Sequence, residues 1–316
     1  MLIRWRRRNR ELSFSRRWIR RLRFATSTLL LAFATLVVLV APAQAADGDL
    51  DTSFDSDGIR IQNRTAGTDV AYDLFFQGDG DFVVGGKDHN NLSKSDAQRM
   101  ANLEFNADGS GSGLFANPND RLFWSPKTDA IWEALLMSNG RYAFVGHAGT
   151  STTGSGGDYD CVAVVREADG SLDTSFDGNG KLFVEFNASK SDKCFAGALQ
   201  SDNKILAGGF VNNSDWDIAL ARINTDGTMD TSFGTGGRVT ADLGGADVIR
   251  SVEVQPDGKI VVAGTSANDF FVARYTSTGA LDTSFSSDGI HSFDLGASNT
   301  DQLWGMKLQS DGKIVM

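Results

Sequence analysis

Leu281-Asp282-Thr283-Ser284-Phe285, followed by a short glycine-bearing turn, decides how this chain is read. Its last four letters recur as Asp51-Thr52-Ser53-Phe54, Asp173-Thr174-Ser175-Phe176 and Asp230-Thr231-Ser232-Phe233. The first two copies lie 122 residues apart and the later steps are 57 and 52. A decayed copy, Ser112-Gly113-Leu114-Phe115, splits the long gap into 61 and 61. A period of this length, held over five copies, defines a repeat protein.

The stretch after Phe233 shows what each repeat contains. A turn, Gly234-Thr235-Gly236-Gly237, opens a short run, Arg238-Val239-Thr240. A second run, Val248 to Val254, ends at Gln255-Pro256-Asp257-Gly258, and a third runs from Lys259 to Gly264. The fourth, Phe270 to Tyr275, stops at Ser277-Thr278-Gly279. Runs this short, apolar and β-branched, with glycine between them, are strands. Asp-Gly and Asn-Gly tolerate the positive φ of tight hairpins. They recur at Asp79-Gly80, Asn139-Gly140, Asp257-Gly258 and Asp311-Gly312, and again at Asp108-Gly109, Asp169-Gly170 and Asp226-Gly227.

Four antiparallel strands in 50–60 residues are the signature of a β-propeller blade. The expected fold is therefore all-β: a β-propeller of about five repeats spanning 46–316, near 47–111, 112–172, 173–229, 230–281 and a partial 282–316. In it the tetrad is expected to make the turn from one blade to the next. Asp230 accepts backbone N–H groups one or two residues on, and Phe233 packs between blades.

Leu-Asp-Thr-Ser-Phe, then Gly-Gly-Arg-Val, then Gln255 to Gly264, then Val272-Ala273-Arg274-Tyr275, resembles the delta-60 repeat family. The resemblance covers essentially residues 47–316 and is strongest in repeats three to five. It implies a β-propeller module of exported bacterial proteins with no established biochemical activity. Repeats one and two depart from the pattern at Gly80-Asp81-Phe82 and Gly140-Arg141-Tyr142, and Arg99 to Glu104 makes a poor fourth strand. Gln309 to Met316 stops inside what was Lys-Ile-Val-Val-Ala-Gly one repeat earlier. That predicts a propeller incomplete at its C-terminal end, a fragment of a longer reading frame, because an open ring leaves strand edges unpaired.

Residues 1–45 read as an export segment: ten arginines between Arg4 and Arg23, an apolar run from Leu29 to Val40, then Ala43-Gln44-Ala45. The run is shorter than the about 20 residues of a membrane span. Cleavage after Ala45 predicts a protein that is secreted, periplasmic or at the cell surface, with no stable membrane span. Ser15-Arg16-Arg17-Trp18 also resembles a twin-arginine signal, so both export routes stay open. Of the 30 basic and 40 acidic residues, ten and one lie in this segment, leaving 20 and 39 and a net charge of −19. A body this acidic repels nucleic acid and anionic lipid. In an oxidising compartment Cys161 and Cys194 are either bridged or two buried thiols.

Asp69, Asp129, Asp192, Asp247 and Asp301 recur at the start of the second run, each after Thr, Ser or Ala. Either they ring one mouth of the channel and hold a cation, or each makes a strand-entry hydrogen bond. Asp47, Asp49, Asp51, Asp55 and Asp57 lack the Gly and Glu of a twelve-residue calcium loop and read as a solvated turn. The loop between the third and fourth runs varies from 14 residues (147–160) to five (265–269). His89 and His147 fall in these variable loops, and His291 stands alone. No catalytic, cofactor-binding or metal-ligating residue is assigned, and no cofactor is expected. The expected function is a monomeric binding or surface-display scaffold for protein or glycan. The alternative is a hydrolase or lyase, metal-dependent through the aspartate column, with its site at the channel mouth.

Overall fold

The computed structural model describes residues 50–57, 59–60, 69–89, 98–112, 129–149, 159–187, 190–296 and 301–316, all within one unit, Ala45–Met316. The export segment at 1–45 lies outside the described residues, as do Asp47 and Asp49. Among the described residues seventeen strands fall into five sheets in chain order. Blade one holds β1 (Val70–Phe76), β2 (Phe82–His89) and β3 (Gln98–Phe105), and blade two β4 (Ala130–Leu136), β5 (Tyr142–Gly149), β6 (Tyr159–Arg166) and β7 (Lys181–Val184). Blade three holds β8 (Asp192–Leu199), β9 (Ile205–Asn212), β10 (Trp216–Ile223) and β11 (Arg238–Ala241). Blade four holds β12 (Asp247–Val254), β13 (Ile260–Ser266), β14 (Asp269–Tyr275) and β15 (Ile290–Phe293), and blade five β16 (Lys307–Leu308) and β17 (Ile314–Val315). Every pairing is antiparallel between neighbours. This is a β-propeller. First strands of adjacent blades touch, β1 with β4, β4 with β8 and β8 with β12, and so face the axis. Among the described residues no helix is long and apolar enough to cross a membrane.

Two expectations change. The tetrad does not connect blades. It lies between the third and fourth strands of a single sheet, so β6 passes through Asp173–Phe176 into β7, and β10 through Asp230–Phe233 into β11. Blade-to-blade crossings come one strand later, after β7 and after β11. Residues 99–104 also make a full strand: β3 pairs with β2 over eight residues, with Met100 and Phe105 buried.

Second strands carry the core. All eight residues of β5 are buried, because each face of a blade is covered by a neighbour. Val145, Cys161 and Ala163 of blade two meet Cys194, Ile205 and Ala207 of blade three. Within that contact Cys161 and Cys194 form a disulfide, with Cα atoms 4.9 Å apart and neither residue exposed. Blade one turns its other face, with Phe82, Val84, Leu103 and Phe105, onto a cavity of about 320 Å³ that Phe54 also lines.

The tetrad locks each blade to the next. Asp173, Asp230 and Asp282 accept the N–H of Ser175, Ser232 and Ser284 at 2.9–3.1 Å, the expected Asx turn. Phe176 and Phe233 are fully buried between blades, as expected. The following residue then bonds the next blade: Asp177 N–H reaches the Asp226 carbonyl at 2.8 Å, and Gly234 N–H the Thr278 carbonyl at 2.9 Å. Gly279, at φ 87°, admits this approach, because a Cβ there would stand 2.9 Å from Gly234 N and 3.0 Å from the Phe233 ring.

Cations complete the lock. Asp230 pairs with Arg222 at 2.8 Å and Lys204 at 2.9 Å, and Asp282 with Arg274 at 2.8 Å and Lys259 at 3.1 Å. Arg222 lies over the Phe233 ring and donates to the Ser277 carbonyl. In blade two Val165 replaces that arginine, and Arg141 pairs with Asp173 instead. Blade one inverts the set. Ser112 stands at the aspartate position, Glu104 at the arginine position and Asp81 at the lysine position. Ser112 there donates to Glu104 at 2.6 Å, and Asp81 accepts the Ala107 N–H at 2.8 Å.

Asp230→Ala should lower stability by about 3–5 kcal/mol, the usual loss when one member of a buried ion pair is removed. Asp51→Ala, in an exposed copy whose carboxylate bonds only Ser53, should leave the melting temperature nearly unchanged. Thermal denaturation of the two variants side by side checks the contrast.

Candidate functional site

Each complete first strand carries one residue too many. Register shifts by one between Ala71 and Asp73, Ile131 and Glu133, Cys194 and Ala196, and Ile249 and Ser251. The extra residues are Tyr72, Trp132, Phe195 and Arg250. Trp304 takes the same place in blade five, three residues after Asp301. A β-bulge bends its strand and re-aims a side chain. Here it also dictates the residue opposite. A Cβ on Gly86, Gly146, Gly209 or Gly264 would stand 2.0, 1.9, 1.7 or 1.8 Å from the carbonyl oxygen of Val70, Ala130, Lys193 or Val248. The glycine ending each second-strand run is therefore the imprint of the bulge.

The bulged side chains form a continuous arc across the blades. Tyr72 stacks on Trp132 with ring centroids 3.9 Å apart, Trp132 meets Phe195 edge-on at 5.0 Å, and Arg250 lies 4.4 Å over Phe195. Phe195 also stacks near Phe210, and Phe210 on Trp216 at 4.5 Å. Between blades four and five the arc opens into a cleft of about 170 Å³ lined by Trp216, Arg250, Gln302 and Trp304. Trp304 is 77% exposed. Two lysines complete the rim: Lys193 lies 3.8 Å over the Tyr159 ring and Lys87 5.5 Å over Tyr72. Aromatic faces and cations thus stand side by side along this rim.

His147 is not in a loop. It lies in β5, 4% exposed, and its Nδ1 accepts the Trp132 indole N–H at 3.1 Å. Burial, helped by the charge of Lys193, pushes its pKa down to about 3. The ring stays neutral and serves as a fixed acceptor that orients Trp132. The loop assigned to 147–160 shrinks accordingly, since β5 runs to Gly149 and β6 starts at Tyr159. His89 ends β2, and its side chain lies outside the described residues. His291 is exposed beside Phe293.

Four of the five recurrent aspartates make strand-entry bonds. Asp192 accepts from Phe186 N–H at 2.7 Å, Asp247 from Leu243 at 2.6 Å and Asp301 from Leu295 at 2.9 Å, while Asp129 holds Gly149 N–H at 2.9 Å. The Asp192, Asp247 and Asp301 bonds hold the crossing that enters their blade, whereas the Asp129 bond lies within blade two. Nearer the axis, Asp73 accepts the Ala134 N–H at 2.8 Å, Glu133 bonds the Gly197 backbone, and Lys307 pairs with Glu253 at 2.7 Å. Burial, with the charge of Asp73, pushes Glu133 up to about 8, and burial pushes Asp129 up to about 7. In the N-terminal turn Asp57 accepts Ile59 N–H and Asp55 pairs with Arg60, as a solvated turn should.

Residues 200–233 and 255–285 match the family model described as a domain of unknown function (DUF5122) beta-propeller. Both segments run from a hairpin turn to the end of a tetrad. No curated protein matches the chain. Among solved structures, a protein of unknown function from Dyadobacter fermentans is similar at a TM-score of 0.47 and 11% identity, covering 72% of this chain and 65% of its own. One of unknown function from Bacteroides caccae gives 0.39 and 10%, covering 73% and 63%. The periplasmic gluconolactonase of Pseudomonas aeruginosa gives 0.40 and 14%, covering 73% and 60%. The chain thus spans less than two thirds of the length of each of these three.

Gly209→Ala should cost about 1–3 kcal/mol or more in urea unfolding, because backbone, not a flexible side chain, must yield. Asp129 and Glu133 hold protons in the folded state that they release near pH 4 when unfolded. Their stabilisation is full below that pH and lost as pH rises through about 7 and 8. The melting temperature should therefore fall from pH 6 to pH 9, less steeply in Glu133→Gln, when followed by calorimetry across that range.

Proposed function

We propose that this chain is an exported β-propeller that binds an anionic glycan along its aromatic rim. The carrying observation is the arc from Tyr72 through Trp132, Phe195 and Arg250 to Trp304, one residue from each blade, flanked by Lys87 and Lys193. Ring faces stack on the apolar faces of sugars, while Arg and Lys meet carboxylate or sulfate. The cleft at Trp304 is smaller than the about 300–1,000 Å³ of a drug-sized pocket. It suits one residue of a chain laid along the arc.

Export is part of the same reading. It rests on the segment 1–45, with its arginines, apolar run and Ala43-Gln44-Ala45, and a bridged Cys161–Cys194 suits an oxidising compartment. The repeat frame near 46–316 then forms the mature binding domain. One observation favours a second reading, a propeller hydrolase: Glu133 keeps its proton at neutral pH close to the charge of Asp73, as an acid–carboxylate pair requires. Both groups already bond backbone of the next blade, so binding remains the stronger reading.

A glycan array probed with the mature protein should show binding to uronate-bearing or sulfated oligosaccharides over neutral ones. Trp304→Ala should weaken it about tenfold, the worth of one stacked aromatic. A screen that yields only protein partners, or none, overturns the reading. Release of reducing sugar that disappears in Glu133→Gln selects the hydrolase.

A further inference from the structure

The segment before blade one repeats, step for step, the turn that leaves a third strand and starts a fourth. Asp51 accepts the Ser53 N–H at 2.9 Å and its hydroxyl at 2.6 Å, as Asp230 does with Ser232 at 3.0 and 2.6 Å. Asp55 and Ser56 take φ of 46° and 67°, matching 48° and 67° at Ser286 and Ser287. Ile59 N–H then bonds Asp57 at 2.9 Å, as Ile290 N–H bonds Asp288 at 2.9 Å, and Ile290 opens the fourth strand β15. The turn is also seated like the others. Asp55 N–H reaches the Asp108 carbonyl of blade one at 2.7 Å, the bond that Asp177 makes to Asp226 and Gly234 to Thr278. A Cβ on Gly109 would stand 2.9 Å from the Phe54 ring, as one on Gly279 would stand 3.0 Å from Phe233. Residues 51–60 thus form the outer end of a blade that lies against blade one.

The inner strands of that blade are not among the described residues. No described strand pairs with Ile59 or Arg60, and Leu50 and Ile59 are exposed. Asp230 and Asp282 each hold an arginine from the third strand and a lysine directly before the second, whereas the Asp51 carboxylate holds only Ser53 among the described residues. The face such a blade would cover is open as well. In blade four, Ile260, Val262, Phe271, Ala273 and Tyr275 pack with Leu206, Ile218, Leu220 and Phe233 of blade three. Counted from the glycine opposite the bulge, Phe82, Val84, Ala101, Leu103 and Phe105 hold those five places in blade one. Ile260, Val262 and Ala273 are fully buried, but Phe82, Val84 and Leu103 are only half-buried. Phe54 stands where Phe233 does, 6.0 Å from Phe82. Leu206, Ile218 and Leu220 have no counterpart among the described residues, and their room is the cavity of about 320 Å³.

We propose that this face is a strand-acceptor site whose occupant is the second and third strands of a further blade of this same repeat. The third strand of the occupant pairs with the strand begun at Ile59, so that an open edge is closed by β-strand addition. Its apolar side chains at the places of Leu206, Ile218 and Leu220 fill the cavity. Its lysine and arginine, at the places of Lys204 and Arg222, meet Asp51. The junctions between blades two and three and between blades three and four already show this fit. Blades two, three and four carry their own fourth strands, so a second copy offers none of these hairpins.

The test is a synthetic peptide of residues 204–228, the second and third strands of blade three with Lys204 and Arg222, titrated calorimetrically into the mature protein. One peptide per chain is expected, with a higher melting temperature in the complex. Asp51→Asn removes an anion from an exposed turn, and Val84→Asp puts a charge on the open face, so both should keep the native circular dichroism. Each should weaken binding about tenfold, through a lost charge-assisted hydrogen bond in one and a buried charge in the other. A peptide carrying Arg222→Glu should bind the unaltered protein as weakly. Absence of saturable binding overturns the proposal, as does binding that neither variant weakens. Dimers in light scattering that Val84→Asp disperses overturn it too, because a second copy then fills the site.

Discussion

The architecture depends on one buried aspartate in each of blades two, three and four. Asp230 stands in the turn between the third and fourth strands, closes that turn through Ser232, and draws Arg222 and Lys204 onto a single carboxylate. That turn seats Phe233 and offers Gly234 N–H to the next blade. A strand terminus, a sheet interface and a charge cluster are thus satisfied by one side chain. Buried charge is tolerated only when paired and hydrogen-bonded. The blade that loses the aspartate, with Ser112, has also exchanged both neighbouring cations for Asp81 and Glu104. The cluster changes as a set.

What was legible in the sequence was what is local in the chain. The Asx turn bonds two residues ahead, and the hairpin turns need positive φ within two residues, so the tetrad and the Asp-Gly pairs announced both. The phase of the blade was not legible, because whether a strand after Phe233 joins the sheet behind it or ahead of it is decided by pairing with Ile218 to Ala221. The rim was hidden for another reason. A bulge breaks the period of two, and Tyr, Trp, Phe, Arg and Trp make no constant letter, although their constant place three residues after the aspartate column marks them. His147 was obscured by the glycine- and serine-rich run that follows it, and the disulfide by a contact between blades that spacing does not encode.

Rim and junction share one design. The inner strand enters at an aspartate, bulges three residues later, and bonds the next blade through Asp73 or Glu133 one residue beyond that. Within five residues it passes from blade entry to aromatic rim to the face nearest the axis. Cys194 directly precedes the bulged Phe195, and Cys161 pairs across from His147, so the disulfide lies behind the most crowded part of the arc. Covalent, ionic and aromatic contacts converge where blades two and three meet.

The bulged residue belongs to neither face of its sheet. Its neighbours on both sides are bound by packing within the blade, and the glycine opposite is bound by the carbonyl it must clear, whereas the extra residue packs on the bulged residues of the adjacent blades. It behaves like an interchangeable letter in a fixed word. Duplicating a blade adds a letter, and substituting one rewrites the face of the rim while leaving the core's grammar intact. Drift at the bulged positions can therefore change the chemistry of the rim without renegotiating the fold each time.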